Sequence, residues 1–479
     1  MEVLDWSKPY HRFFEEMTRI PHGSHHEKQY SDYLVEFAKK HHFRYKQYPI
    51  GNVIIYKEAS EGYEDHPTVV MQSHMDMVWE KRPGSKHNFE TDPLDIYIED
   101  GWLYARETTL GADDGTGVAY MLSVLEDPDL KHPALECIFT VQEETGLDGA
   151  FALEPEDIKG RRYISLDDGG GGYITTITSA GGMGWKGKIT AEKEEMPEQF
   201  SGYRLHIGGL TGGHSGECID EEKGNAIKLA ARVIKAMQMN GICRIAEFTG
   251  GDKDNAIPRE CTVLFAVDFP EEKVQKIVKE ELAKIHQELK FSDSGVEIQV
   301  EKEEMKTVWE EKAARTLIDF LYVYVNGRRH KSMKLPGLVT ASSNLASVQE
   351  KDGKVEIVIS LRSAEESYLD EMAMQLRILS EQFGLEMEES SRYPGWSYEE
   401  NSTMRERLRE AVEEVMNRPL EELAVHGGLE CGVFKQKWPD MDMVTLGPVG
   451  ENVHTPDERL NLASFDLCYS LLKTYLTKL

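Results

Sequence analysis

The run Cys137-Ile-Phe-Thr-Val141 ends in Gln142-Glu143-Glu144-Thr145-Gly146, and this junction constrains the chain more than any other stretch. A short apolar run bounded by a turn signal reads as a buried strand. Two carboxylates in contact at its end do not both stay ionised in a low-dielectric site unless a cation is near. Consecutive strand residues point to opposite faces. Both acids can therefore reach one site only where the strand stops and the backbone turns, which Gly146 permits. For an isolated Glu-Glu pair a solvated strand end is the commoner outcome. What shifts the balance here is that other apolar runs end the same way.

Thr68-Val-Val-Met-Gln-Ser73 runs into His74-Met75-Asp76, and Arg161-Arg-Tyr-Ile-Ser-Leu166 into Asp167-Asp168. Leu110-Gly-Ala-Asp-Asp-Gly-Thr-Gly117 places Asp113 and Asp114 in a glycine-rich loop ahead of an apolar helix over 118–126. Strands alternating with helices imply an α/β layer with a largely parallel sheet, and sites in such folds form outside the carboxyl ends of the strands. The residues delivered to that edge, with His454 from the far end of the chain, offer nitrogen and oxygen ligands without thiolate. That set suits a catalytic Zn²⁺, and also Co²⁺ or Mn²⁺. One ion needs three protein ligands and a water; five ligands with one shared carboxylate suit two ions about 3.5–4 Å apart. In His74-Met-Asp76, residues two apart share a face of a strand. Asp76 could thus accept the second ring N–H of His74 and fix the tautomer of a metal-bound imidazole.

Outside this region the pattern predicts a helix over 10–18, a second capped by Ser24 and reaching about residue 40, and strands over 43–48, 52–57 and 102–106. From about Gly181 the texture changes. Amphipathic helices over 224–239, 271–290, 313–325 and 365–383 accompany strands over 261–268 and 296–300. A hairpin over 345–350 and 354–362 turns on Asp352-Gly353, a type I′ signal. Tyr393-Pro-Gly-Trp396 reads as a linker, followed by a helix over 403–416, a strand over 441–446, the loop holding His454, and a helix over 462–478. The expected architecture is a catalytic α/β domain with a mostly parallel central sheet flanked by helices, formed by residues 1–181 and 393–479. An α+β domain, residues 182–392, is inserted into it.

The 479 residues carry a net charge of −30, from 55 basic and 85 acidic side chains, which argues against nucleic acid or an anionic membrane as partner. No stretch approaches the ~18 apolar residues of a membrane span, and the N-terminus lacks an apolar signal core. The 6 cysteines are scattered with no CxxC pair, so a reducing cytoplasm is expected. The glycine run at 169–172 lacks the spacing for phosphate binding. Cys431 reads as a small buried thiol, and the acidic runs at 192–195, 301–304 and 386–389 as solvated faces.

Together His74-Met-Asp76, Gly111-Ala-Asp-Asp114, Glu143-Glu144-Thr-Gly146, Asp167 and His454 resemble the dinuclear metallopeptidases that include glutamate carboxypeptidase, tripeptidase T and succinyl-diaminopimelate desuccinylase. Gln72-Ser-His-Met-Asp-Met-Val78, Gly212-Gly-His-Ser-Gly216, His426-Gly-Gly-Leu-Glu-Cys-Gly432 and Gly447-Pro-Val-Gly-Glu-Asn-Val-His-Thr-Pro-Asp457 are similar to the aminoacyl-histidine dipeptidase (cytosolic non-specific dipeptidase) subfamily, so the resemblance spans nearly the whole chain. It implies two divalent ions, zinc first, with Asp113 bridging them, His74 and Asp167 completing one site, and Glu144 and His454 the other. It makes Glu143 the general base and Asp76 the residue orienting His74. It implies a dipeptide substrate held by His214, Asn255 and Arg362, an Arg fork being suited to a free carboxylate. Glu430 and Ser342-Ser-Asn344 are further pocket candidates. A homodimer through the inserted lid domain is implied as well. The expected reaction is hydrolysis of unblocked L-dipeptides, Xaa-His among them. A tripeptidase, N-acyl amino acid deacylase or desuccinylase on the same scaffold is the alternative. A silent metal-binding scaffold is more distant, since it would be free to lose Glu143.

Overall fold

The structure, a computed structural model, describes residues 2–479. The chain forms two compact units: residues 1–179, 396–424 and 429–479 make the first, and residues 180–395 with 425–428 the second.

The first unit is built on a 6-stranded sheet. Its strands are β1 (Arg44–Gln47), β2 (Val53–Lys57), β3 (Val69–His74), β4 (Leu135–Thr140), β5 (Arg162–Ser165) and β6 (Asp442–Thr445), in the order β1-β2-β4-β3-β5-β6. β4, β3, β5 and β6 run parallel, while β2 joins β4 antiparallel and β1 closes that edge. β3 and β4 are buried at every position, as strands covered by helices on both faces must be. The covering helices are α1 (Pro9–Met17), α2 (Lys28–Lys40), α3 (Ala112–Glu126), α4 (Thr403–Met416), α5 (Glu430–Lys437) and α6 (Leu462–Lys478). α4 and α6 begin where the sequence predicts. Ser402 accepts from the Arg405 N–H and Asn461 from the Ser464 N–H, each satisfying a helix-terminal donor. No helix among the described residues is long and apolar enough to cross a membrane.

Two local expectations need correction. Ser24 does not cap α2, whose N-cap is Glu27; the Ser24 hydroxyl instead donates to Asp76 Oδ2 at 2.8 Å. The glycine-rich stretch before Val118 is not a free loop. It is wound into the first turn of α3, entered through Gly111 at φ 71°, with Asp113 and Asp114 away from helical geometry. α3 can lie this close to the sheet because Gly117 has no side chain. A Cβ there would meet Leu166 Cβ at 2.6 Å, Asp114 Oδ1 at 2.8 Å and Ser73 Oγ at 2.8 Å.

The second unit is an antiparallel 9-stranded sheet with helices Ala226–Gln238, Glu271–Leu289, Glu311–Val323 and Glu366–Phe383. Trp185, Phe248, Phe265, Leu317 and Phe320 lie in its core, all 0 % exposed. Strands Val339–Lys351 and Lys354–Ser363 form the expected hairpin, with Asp352 at φ 52° and Gly353 at φ 73°, as a type I′ turn demands. A short ladder pairs Gly213–His214 with Ala256–Ile257, which sets His214 opposite Ala256.

Gly117→Ala is expected to destabilise the first unit by about 1–3 kcal/mol through overpacking. A lowered urea midpoint at unchanged m-value would register it; an unshifted midpoint would contradict the close approach of α3 to the sheet.

Candidate metal centre

β3 ends at His74, directly opposite Thr140, the last residue of β4. After β4 the backbone turns through Gln142 at φ 56° into a single helical turn, Glu143–Gly146. That turn is held from below. Asp76 Oδ1 accepts from the Glu143 N–H at 3.1 Å, Asp76 Oδ2 from the Glu144 N–H at 3.3 Å, and Glu27 Oε1 from the Gln142 N–H at 3.1 Å. The strand therefore stops at a junction where the N–H groups of Gln142, Glu143 and Glu144 are each tied to a carboxylate. His74 Nδ1 donates to the backbone carbonyl of Asp76 at 3.0 Å, with the Asp76 carboxylate 3.5 Å away. Because β3 has already ended, the turn of the chain, not strand periodicity, brings Asp76 beside the ring. The Nδ1 contact leaves Nε2 to face the cluster.

Asp113 lies at its centre. Its Oδ1 is 3.0 Å from His74 Nε2 and its Oδ2 is 3.2 Å from His454 Nε2, which also stands 3.0 Å from Glu144 Oε1. His454 itself adopts φ 63° in its loop. Three sets of donor atoms lie within 4.8 Å of one another: His74, Asp113 and Asp167; Asp113, Glu144 and His454; and His74, Glu143 and Glu144. The first two share Asp113. A cavity of about 180 Å³ beside them is lined by Asp113, Asp114, Thr116, Asp167 and Asp168.

The electrostatics are those of an anionic cage. Burial opposes the imidazolium of His74, yet the Asp113 and Asp76 carboxylates outweigh it and hold its pKa well above the ordinary range. Hydrogen bonds to Asp113 and Glu144 raise that of His454 to about 10. Burial pushes Glu143 well above the usual carboxylate range, assisted by the charges of Asp167, Glu144 and Glu430. Burial and then Asp113 bring Asp167 up to about 7. Among the described residues no Lys or Arg forms an ion pair with Asp76, Asp113, Glu143, Glu144 or Asp167. Carboxylates this crowded are stabilised by cations, and an all-nitrogen-and-oxygen donor set with one carboxylate facing two imidazoles fits divalent ions.

A buried polar network on the same strands was not legible as such. Glu430 Oε2 accepts from Thr140 Oγ1 at 2.7 Å and Gln72 Nε2 at 2.5 Å, and Gln72 Oε1 accepts from Tyr163 at 2.7 Å and Ser165 at 3.1 Å. Burial raises Glu430 to about 8, and its Oε1 has no hydrogen-bond partner. The available signal was a Gln and a Thr inside otherwise apolar strand runs, because buried polar side chains need partners.

In the second unit His214 and Asn255 are exposed neighbours, the Ser215 N–H donating to the Asn255 carbonyl at 2.8 Å. Arg362 is buried. Its Nη1 makes only long contacts, 3.4 Å each, to Tyr393 Oη and the His426 carbonyl, and its Nε has no hydrogen-bond partner. Burial, then the Arg362 charge, lowers the pKa of His214.

A parallel sheet that gathers imidazoles and a shared carboxylate at its carboxyl edge defines a class of hydrolase working through divalent cations. Residues 70–478 match Peptidase family M20/M25/M40, and the chain belongs to that family. It is 35 % identical to the cytosol non-specific dipeptidase of Escherichia coli (strain K12), over 98 % of each chain. The structure of aminoacylhistidine dipeptidase from Vibrio alginolyticus superposes with a TM-score of 0.91 at 32 % identity, covering 98 % of this chain and 96 % of that one. An aminopeptidase PepT from Bacillus cereus shares the fold at a TM-score of 0.57 and 17 % identity, over 98 % of both chains. The chain is thus a peptidase dependent on divalent metal ions, and it acts on peptides.

Because neighbouring carboxylates raise the pKa values of both His74 and His454, a cation must compete with protons to bind. The apparent affinity for a divalent ion is therefore expected to rise with pH between about 6 and 8, with proton release. Calorimetry in buffers of different ionisation enthalpy measures both; a pH-independent affinity would contradict the assignment of these histidines.

Proposed function

We propose that the chain is a dipeptidase hydrolysing unblocked L-dipeptides, Xaa-His included, with two Zn²⁺ ions held by His74 and Asp167 on one side, Glu144 and His454 on the other, and Asp113 between. The observation that carries the reading is Asp113 itself, whose two oxygens each face a different imidazole. The family and the two dipeptidase relatives, each aligned over nearly the full length, support it. The tripeptidase, deacylase and desuccinylase readings have no comparable support.

Bound divalent ions supply a water of lowered pKa and a Lewis acid for the scissile carbonyl. Glu143 takes the proton of the attacking water and returns it to the leaving amine. Its burial, which favours the protonated form, suits a group that must hold that proton between the two steps. Asp76 keeps Glu143 and Glu144 apart in role by fixing the turn through their N–H groups and by backing His74. His214, Asn255 and Arg362 contact the substrate's polar groups; Arg362, with Nε unused and its Nη1 contacts long, retains capacity for a carboxylate. Glu430, bonded to Thr140 and Gln72 through Oε2, keeps Oε1 unpartnered and is a further pocket residue in this reading.

In this reading the first unit is the catalytic domain and the inserted unit a lid and dimerisation domain. Exposed apolar side chains on the inserted unit, among them Tyr322, Val323, Val325, Met374 and Ile378, suit a homodimer interface. A cytoplasmic location accords with six free cysteines and with the name of the Escherichia coli relative.

Glu143→Gln is expected to retain both ions and the fold while kcat falls by about 10²–10⁴-fold; substantial residual turnover would remove Glu143 as the base. A panel of Xaa-His and other dipeptides, tripeptides and N-acyl amino acids is expected to show turnover concentrated on the dipeptides. Preference for the tripeptides or acyl amino acids would overturn the substrate assignment.

A further inference from the structure

The turn that presents Asp113 is not self-supporting. Gly111 is left-handed, Asp113 and Asp114 depart from helical geometry, and the first N–H groups of α3 have no partners within the helix. Those of Ala112 and Asp113, together with the Leu110 and Gly111 N–H groups just ahead of the helix, converge on one side chain. Glu458, 3 % exposed, takes the Leu110 N–H at 2.7 Å and the Gly111 N–H at 3.1 Å on Oε2, and the Ala112 N–H at 2.8 Å and the Asp113 N–H at 3.4 Å on Oε1. Among the described residues no Lys or Arg forms an ion pair with Glu458, so these backbone donors are what compensate its buried carboxylate.

Glu458 also belongs to the loop that carries His454. Its own N–H donates to the Thr455 carbonyl at 3.0 Å, and Thr455 Oγ1 donates back to the Asn452 carbonyl at 2.7 Å. One short, internally bonded loop therefore bears both the imidazole facing Asp113 Oδ2 and the carboxylate gripping the Asp113 backbone.

We infer that Glu458 is a positioning residue for the metal centre, a clamp that sets the separation of Asp113 and His454 before any cation arrives. The inference rests on the reading of Asp113 and His454 as metal ligands. Only a carboxylate fits the role. It accepts on both oxygens, whereas the amide of glutamine would turn an NH₂ group toward two of the backbone donors.

The test strips the full-length protein of metal with a chelator and titrates it with Zn²⁺ against a chromophoric competitor. Wild type is expected to take up two ions. Glu458→Gln, with its far-UV spectrum retained, is expected to bind one of the two about 10–100-fold more weakly, the range seen when a residue that orients a metal ligand is replaced. A role confined to stability would lower the melting temperature and leave both affinities unchanged, and that result overturns the inference while the site assignment stands. A wild type that binds no Zn²⁺ overturns the site assignment and the clamp with it. Should Glu458→Gln fail to fold, amide hydrogen exchange on metal-free wild type decides. The Leu110, Gly111 and Ala112 amides should exchange as slowly as those of β3. Free exchange at these positions would overturn a clamp formed before metal.

Discussion

The Asp113 carboxylate stands between two imidazoles, and the architecture of the first unit can be read as the means of keeping it there. A buried carboxylate left alone would cost several kcal/mol and would protonate instead. With His74 on one oxygen and His454 on the other, the balance reverses, and the pKa of Asp113 falls below the ordinary carboxylate range despite its burial. His74 arrives at the end of β3, Glu143 and Glu144 just past β4, Asp167 just past β5, and His454 from the loop ahead of α6. Only a sheet in which β3, β4 and β5 run parallel brings those three ends to one edge.

The second theme is how irregular backbone is tolerated at that edge. The turn after β4 and the first turn of α3 both leave N–H groups without strand or helix partners. Each is satisfied by buried carboxylates: Glu27 and Asp76 under the Glu143 turn, Glu458 under the Asp113 turn. Charged acceptors make stronger bonds than neutral ones, and they hold the backbone that carries the proposed ligands. The same device explains why acids accumulate in this region well beyond the proposed ligands.

Much of this was legible in the sequence, for identifiable reasons. β3 and β4 announce themselves as apolar runs, and α4 and α6 carry Ser402 and Asn461 as caps, so their bounds follow from local chemistry. Asp352-Gly353 dictates its hairpin turn in the same way. Assembly of His74, Asp113, Asp167, Glu144 and His454 was suggested by acids and imidazoles recurring at strand ends. What the sequence did not disclose are contacts with no local signature. Ser24 looks like a helix cap but is drawn to Asp76, because a buried carboxylate outbids the exposed end of α2. The glycine-rich stretch reads as loop, yet the packing of Gly115 and Gly117 against neighbours and the donors converging on Glu458 wind it into α3. Glu430 reads as a pocket candidate, but its bonds to Gln72 and Thr140 have no local signature, because side-chain pairing across 358 and 290 residues of chain decides them.

The central claim is that one carboxylate serves both cation sites, and it is tested most directly by counting ions bound to Asp113→Ala. Wild type should bind two divalent ions per chain by metal analysis and competitive titration. The variant, still folded, should lose tight binding at both sites together. A variant that keeps one ion at wild-type affinity would show that Asp113 serves a single site, and would contradict the account.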